Sequence, residues 1–335
     1  MKIAHLACVT PHRSGLYETA RDLVAGERTL GLDAFIVDPL KPGKGEDRGV
    51  PFDDFDSARA ADVWVNHSGL PKEIDKHPPA IHVMHGRPES SFLLEMQGSP
   101  KVYSYLIHMG RNGTFSKYIT FWQEFLPHWS LIVPAEKLSW VPAPVDLNAW
   151  TPDGPSGYGF HNKGSDINVV CADMWRDDVT PFAALNAFGV FAKRHPTSKL
   201  HLYGLPTKQN GWQPLVAVLK QNGNIGELKP MVSGLENVYR AATMLITPHR
   251  IATRTVREAL ACGCQVVMGA DKGYTPYWAD PCDPVAFADA MDVALVEVQE
   301  PRNDCKGRNR VSAVHHFDPA VTATAFKKLF DEVLA

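Results

Sequence analysis

No apolar run in this sequence approaches the roughly 18 residues of a membrane-spanning helix. Net charge is nearly missing: 34 Lys and Arg stand against 37 Asp and Glu, −3 in total. That excludes a strongly basic nucleic-acid binder, though not a local basic groove. Cysteine is sparse and scattered, six residues with a single tight pair, Cys262 and Cys264. Without a second pair at metal-ligand spacing there is no metal motif, so the cysteines read as small buried hydrophobes of a reducing compartment. Repeats and low-complexity tracts are absent. The opening MKIAHLACVT lacks a long apolar stretch ending in a small-residue cleavage site. A signal peptide is therefore not expected, and a soluble cytoplasmic protein is. The loop after the first strand has no Gly-Lys-Ser/Thr, and Gly15 is its lone glycine. It is neither a Walker loop nor a dinucleotide fingerprint.

What is present suits a globular protein of two domains. At about 100–200 residues per domain, 335 residues suggest two, and 44% hydrophobic with 21% charged residues is ordinary. Strands are expected at 2–8, 33–38, 62–66 and 80–85, with a helix from Leu16 to Leu30 between the first two. The rhythm falters over 86–135, an aromatic and polar stretch read as helices and loops. There Trp122 and Trp129, and beyond it Trp140 and Trp150, are expected mostly in the core. A Gly, Pro, Ser and Asn-rich segment near 148–165 reads as a linker. Strands then follow at 166–171, 199–203, 243–247 and 265–268, alternating with helices near 180–194, 211–221, 254–262 and 284–298. An amphipathic helix, 319–334, is opened by a proline near its first turn. The pattern predicts two α/β halves with parallel sheets and a cleft between them, where such folds bind ligands.

Several residues carry candidate chemistry. The loop ending at Gly15 joins a strand to a helix N-terminus, a place that suits an anion. His67 follows the strand DVWVN, and His85 with Arg87 follows the next one, at strand ends where a cleft lies. A satisfied structural histidine is the plain alternative for both. In Thr247–Gly263 a strand ends in a polar loop that opens a helix, with Arg250, Arg254 and Arg257 crowded about its start. Cations there oppose the helix dipole unless a bound anion, such as a diphosphate, takes both. A solvated arginine face is the alternative.

At this segment the chain resembles a GT-B glycosyltransferase, most of all the large retaining family that includes glycogen and sucrose synthases. The likeness runs through Asp62-Val-Trp-Val-Asn-His67, Ala80-Ile-His-Val-Met-His-Gly86, Val141-Pro-Ala-Pro-Val-Asp146, Tyr239-Arg-Ala-Ala242, Arg257-Glu-Ala-Leu-Ala-Cys-Gly-Cys-Gln-Val-Val267 and Trp278-Ala-Asp-Pro-Cys-Asp283. It implies two Rossmann-like domains facing across a cleft: 1–148 on the acceptor side, 149–315 holding the donor, and a helix at 316–335 packing back on the first. It also implies a hexosyltransferase using a nucleotide-sugar donor, a UDP-sugar such as UDP-glucose, with no metal and no other cofactor.

The family's paired glutamates stand eight positions apart; the second matches Glu258, for the ribose hydroxyls, and the first falls on Arg250. The family's diphosphate-clamping Arg and Lys fall near Met174 and Val179, so Arg176, Arg250 or Arg254 is the expected substitute, with Thr255 beside them. His67 is implied to give a hydrogen bond at the donor sugar, and retention is the implied outcome. His85, Arg87 and Arg111 are expected on the acceptor side. The run Gly15-Leu-Tyr-Glu-Thr-Ala-Arg-Asp-Leu-Val24 resembles openings of phage-encoded glycosyltransferases, some of which modify hydroxymethylated pyrimidines in DNA. A 5-hydroxymethylpyrimidine in phage DNA, met in host cytoplasm, is thus the leading acceptor, with Arg87, Lys101, Arg111 and Lys117 as a basic rim. Saccharide, lipid-linked and small-molecule acceptors are alternatives, though no basic amphipathic helix favours a membrane. A non-catalytic nucleotide-sugar binder, suggested by Arg250 in place of glutamate, and an epimerase of the same fold complete the set.

Overall fold

The computed structural model describes residues 1–8, 15–41, 43–67, 78–89, 92, 96, 102–156, 167–173, 182–204, 213–230, 232–300 and 303–335, the side chains of 102, 103, 105 and 106 apart. The chain divides into two compact units. The first is Met1–Asp146 with Phe317–Ala335, and the second is Leu147–His316.

The first unit is built on eight strands: β1 (Lys2–Leu6), β2 (Asp33–Val37), β3 (Gly45–Asp47), β4 (Val50–Phe52), β5 (Val63–Asn66), β6 (Ala80–Met84), β7 (Lys117–Thr120) and β8 (Leu138–Trp140). Their order is β3-β4-β2-β1-β5-β6-β7-β8, parallel except for the β3–β4 pair. β5 and β6 are buried along their whole length and so read as continuous apolar runs. The stretch expected as helices and loops contains β7, which pairs with β6 from Ile81↔Lys117 to Met84↔Thr120. Its sequence, KYIT, carries the β-branched and aromatic residues a strand favours, but it is too short to stand out among the surrounding aromatics. Trp122 and Trp129 are buried as expected, whereas Trp140 is 43% exposed because β8 is the edge strand.

Two helices shape this unit. Helix α1 (Gly15–Thr29) buries Ala20, Leu23, Val24 and Glu27 on one stripe. The last helix, Pro319–Leu334, is capped by Asp318, whose carboxylate accepts from the Ala320 N–H at 2.8 Å. It packs on α1, and the residues it buries are Thr322, Ala323, Phe326, Leu329 and Phe330. The helices meet at Gly26, where an added Cβ would stand 2.6 Å from the Pro319 carbonyl oxygen, so only glycine admits this approach.

The second unit has six strands, all parallel: β9 (Asn168–Ala172), β10 (Lys199–Tyr203), β11 (Ile225–Leu228), β12 (Met244–Ile246), β13 (Gln265–Met268) and β14 (Tyr277–Trp278), in the order β11-β10-β9-β12-β13-β14. Its core packs Phe188 and Phe191 of the helix Phe182–Arg194 against Phe287 and Met291 of the helix Pro284–Gln299. Arg310 ties the start of the unit down by donating to the Leu147 and Trp150 carbonyls at 2.8 and 2.6 Å. Cys171, Cys262, Cys264 and Cys305 are buried, while Cys282 is exposed and Cys8 half-buried. Among the described residues no helix is long and apolar enough to cross a membrane.

Candidate active site

Each sheet reverses its winding once. In the first unit the reversal lies between β1 and β5, in the second between β9 and β12. Open α/β sheets bind ligands beyond the carboxyl ends of the strands at such points, and the notable polar side chains of both units gather there.

In the first unit, His67 leaves the end of β5 with its backbone N–H donating to the Leu6 carbonyl at 2.9 Å, which continues the ladder to β1. It is 3% exposed. Both its ring nitrogens are engaged: Nε2 lies 3.0 Å from His5 Nδ1, and Nδ1 lies 2.7 Å from His85 Nε2. His5 Nε2 in turn lies 2.8 Å from Glu27 Oε2. The hydrogen bond to a donor sugar expected of His67 requires a ring nitrogen that these partners already hold. Burial, with His85, His5 and His82 around it, keeps His67 well below the ordinary imidazole range. His82, bonded through Nδ1 to Asn66 Nδ2 at 2.9 Å, is pushed by burial down to about 4. His85 is only half-buried and stands edge-on to Phe121, with ring centroids 5.3 Å apart.

The expected basic rim does not assemble among the described residues. Arg87 follows His85 at the carboxyl end of β6. Arg111, however, closes the helix Val102–Asn112 that feeds the amino end of β7, so it lies at the opposite end of the sheet from His85. The crossover from one parallel strand to the next forces this placement. Lys117 opens β7 at that same end and pairs with Glu332 at 2.9 Å. Lys101 and Arg176 lie outside the described residues, as does the loop before Gly15, which itself is the exposed first residue of α1.

In the second unit, Asp173 follows β9 and His249 follows β12, so adjacent strands deliver both to the switch point. Asp173 Oδ2 lies 2.5 Å from His249 Nε2, and His249 is buried. Gly204 (φ 84°) lets the chain after β10 pass the Asp173 carbonyl, which a side chain would strike. The helix Arg254–Ala261 starts five residues beyond His249, and its first residue turns back on it: Arg254 Nε donates to Glu258 Oε1 at 2.5 Å. The two residues expected to meet diphosphate and ribose are thus partners of each other, nearly buried at 12% and 6% side-chain exposure. Thr255 shares a 2.9 Å hydrogen bond with Thr253 at the helix start. Arg250 is not drawn into this group; its guanidinium is 56% exposed and pairs with Asp280 at 3.0 Å. Buried Tyr239, whose hydroxyl burial and the nearby Glu258 push well above its ordinary value, completes the surroundings.

Sequence reasoning missed His5, Glu27, Asp173 and His249. The signals existed. His5 is a titratable residue inside a buried strand, and Glu27 continues the apolar stripe of Ala20, Leu23 and Val24 at helical spacing. Asp173 and His249 each stand just past a strand's carboxyl end. Among the described residues no group of three His, Cys, Asp or Glu is placed to hold a metal ion.

No protein-family model matches the chain, and no curated protein matches its sequence. Solved structures do match. Sucrose-phosphate synthase from Thermosynechococcus elongatus superposes with a TM-score of 0.74 at 14% identity, covering 99% of both chains. HepE from Anabaena, solved with UDP-glucose, gives 0.72 at 14% identity, over 99% of this chain and 100% of that one. The catalytic domain of starch synthase IV from Arabidopsis thaliana, bound to ADP and acarbose, gives 0.71 at 12% identity, over 100% and 99%. The chain therefore has the GT-B fold of these glycosyltransferases, two parallel α/β units over its whole length.

Proposed function

We propose that the chain is a glycosyltransferase that moves a hexose from a nucleotide-sugar donor, a UDP-sugar first of all, to an acceptor hydroxyl. The observation that carries this reading is the GT-B fold over the whole chain with ionisable side chains gathered at both switch points. In the second unit, the start of the helix Arg254–Ala261 offers backbone N–H groups, the positive end of the dipole and Arg254 to a departing diphosphate. Glu258 suits two ribose hydroxyls, with Arg254 exchanging the carboxylate for phosphate when the donor arrives. HepE was solved with UDP and with UDP-glucose, and starch synthase IV with ADP, which supports a nucleoside diphosphate as the leaving group. Transfer breaks the bond from C1 to the diphosphate oxygen and forms one from C1 to the acceptor oxygen. Retention is the outcome proposed from the family likeness.

For the acceptor, hydroxymethylated pyrimidine in DNA is the first to test, on the strength of the segment Gly15–Val24 alone. A saccharide is the second reading, favoured by the placement of Arg111 and Lys117 at the far end of the sheet from His85. The decisive experiment is a nucleotide-sugar panel offered with hydroxymethylated duplex, unmodified duplex and simple saccharides, read by mass spectrometry. Transfer to the modified duplex alone supports DNA, and transfer to a saccharide alone removes it. Neither transfer nor donor hydrolysis with any sugar would reduce the chain to a nucleotide-sugar binder.

A further inference from the structure

Tyr239 carries a buried hydroxyl with nothing to bond to. It stands on the helix Leu235–Ala241, which packs on the helix Arg254–Ala261 that holds Arg254 and Glu258. The residue is 0% exposed, and its hydroxyl is buried without a hydrogen-bond partner. Its ring centroid lies 5.9 Å from that of Trp150, so packing holds the side chain where it is. An unpaired buried hydroxyl destabilises a folded chain, whereas phenylalanine fills the same space without that cost. Burial first, and then the Glu258 carboxylate, keep the hydroxyl protonated to well above the ordinary tyrosine range. Tyr239 therefore stays an O–H donor beside a carboxylate that, in this structure, another donor occupies.

That other donor is Arg254, whose Nε donates to Glu258 Oε1 at 2.5 Å, the two side chains being 12% and 6% exposed. When a diphosphate draws the guanidinium away, a nearly buried carboxylate gives up a charged donor, and this exchange opposes binding. We infer that Tyr239 is the stand-by donor for Glu258: its O–H turns to the carboxylate as Arg254 leaves for phosphate, and it steadies Glu258 for the ribose hydroxyls. Tyr239 is thus a positioning residue that acts on the ligand through Glu258. An ionised carboxylate offers about four lone-pair sites, so one bond from Tyr239 leaves room for two ribose hydroxyls. The identity of the ligand as a nucleoside diphosphate rests on the glycosyltransferase reading. The exchange of donors at Glu258 does not, because removing the guanidinium by mutation calls on the same hydroxyl.

The test places Tyr239→Phe, which deletes the oxygen alone, in two backgrounds. In the wild-type protein the hydroxyl has no bond to lose, so the urea midpoint should hold or rise. In Arg254→Met the guanidinium is gone and the stem remains, so Tyr239 bonds Glu258, and adding Tyr239→Phe should lower the midpoint. An equal fall in both backgrounds would give the hydroxyl a fixed structural partner and overturn the proposal, as would no fall in either. The second arm is calorimetry with UDP. Tyr239→Phe should weaken UDP binding at least tenfold, the size of a hydrogen bond to a charged group, with the midpoint of the otherwise wild-type protein not lowered. Unchanged UDP affinity would overturn the proposal while leaving the donor site standing. If Arg254→Met does not fold, the UDP arm decides. If the wild-type protein does not bind UDP, the donor proposed above fails instead, and the two midpoints alone decide the role of Tyr239.

Discussion

The two units place their polar groups at the same topological point and fill it with different chemistry. The first sets imidazoles in series, ending on one carboxylate. The second sets side chains in close pairs, Asp173 beside His249 and the ion pair of Arg254 with Glu258. Series bonding suits the movement of a proton, and paired charges suit the capture of an anion or of hydroxyls. One architecture used twice thus yields two kinds of site, because the sheet dictates where side chains meet and only the residues at strand ends dictate what they do.

The largest effect that tests this contrast is expected in the second unit. Glu258→Ala strands a nearly buried guanidinium and should cost about 3–5 kcal/mol of stability in urea unfolding, with donor affinity down at least tenfold. An unaltered midpoint would mean that the pair is not the element that holds this site. Next comes acid. His82 takes up a proton near 4 when folded and near 6.5 when unfolded. The unfolded chain therefore binds protons first, and stability is complete above 6.5 and lost as pH falls toward 4. That is about 3 kcal/mol for this group, and His67 adds a loss in the same direction. His201, lowered by burial to about 4, acts alike in the second unit. Hydrogen exchange between pH 7 and 4.5 should show the first unit losing more protection than the second. His67→Ala cuts the series in the middle and should lower kcat about 10²-fold, roughly 2.7 kcal/mol, with little change in donor affinity. Equal losses of kcat and affinity would place His67 with the charge pairs instead. Smallest of all, Arg250→Ala removes an exposed pair with Asp280 and should move stability by less than about 1 kcal/mol. A larger drop in donor binding than in stability would bring Arg250 back to the site.

Much of this fold was legible in the sequence. The strands of both sheets that carry continuous apolar runs, among them 33–37 and 265–268, and the helix at 319–334 appear where periodicity predicts them. Short β7 did not, since four residues beside aromatic loops give no period to read. The site was legible only as positions. His67, His85 and Arg254 are ends of predicted elements and Glu258 lies one turn into a predicted helix, so their neighbourhood follows from topology. Their partners do not. Nothing in the sequence pairs Glu27 with His5 across 22 positions, or Asp173 with a histidine beyond the next strand of the sheet. Arg111 shows the converse: proximity in sequence to an acceptor-side segment carried it to the wrong end of the sheet.

The contact between Gly26 and Pro319 also dictates an order of events during synthesis. The first unit is interrupted in the chain, and its helix α1 is covered only when residues beyond 316 have emerged. The second unit is a single continuous segment, Leu147–His316, and is complete earlier on the ribosome. Until then the nascent first unit leaves uncovered the side of α1 against which the helix Pro319–Leu334 packs. Translation thus begins one unit, finishes the other, and returns to close the first with the helix Pro319–Leu334.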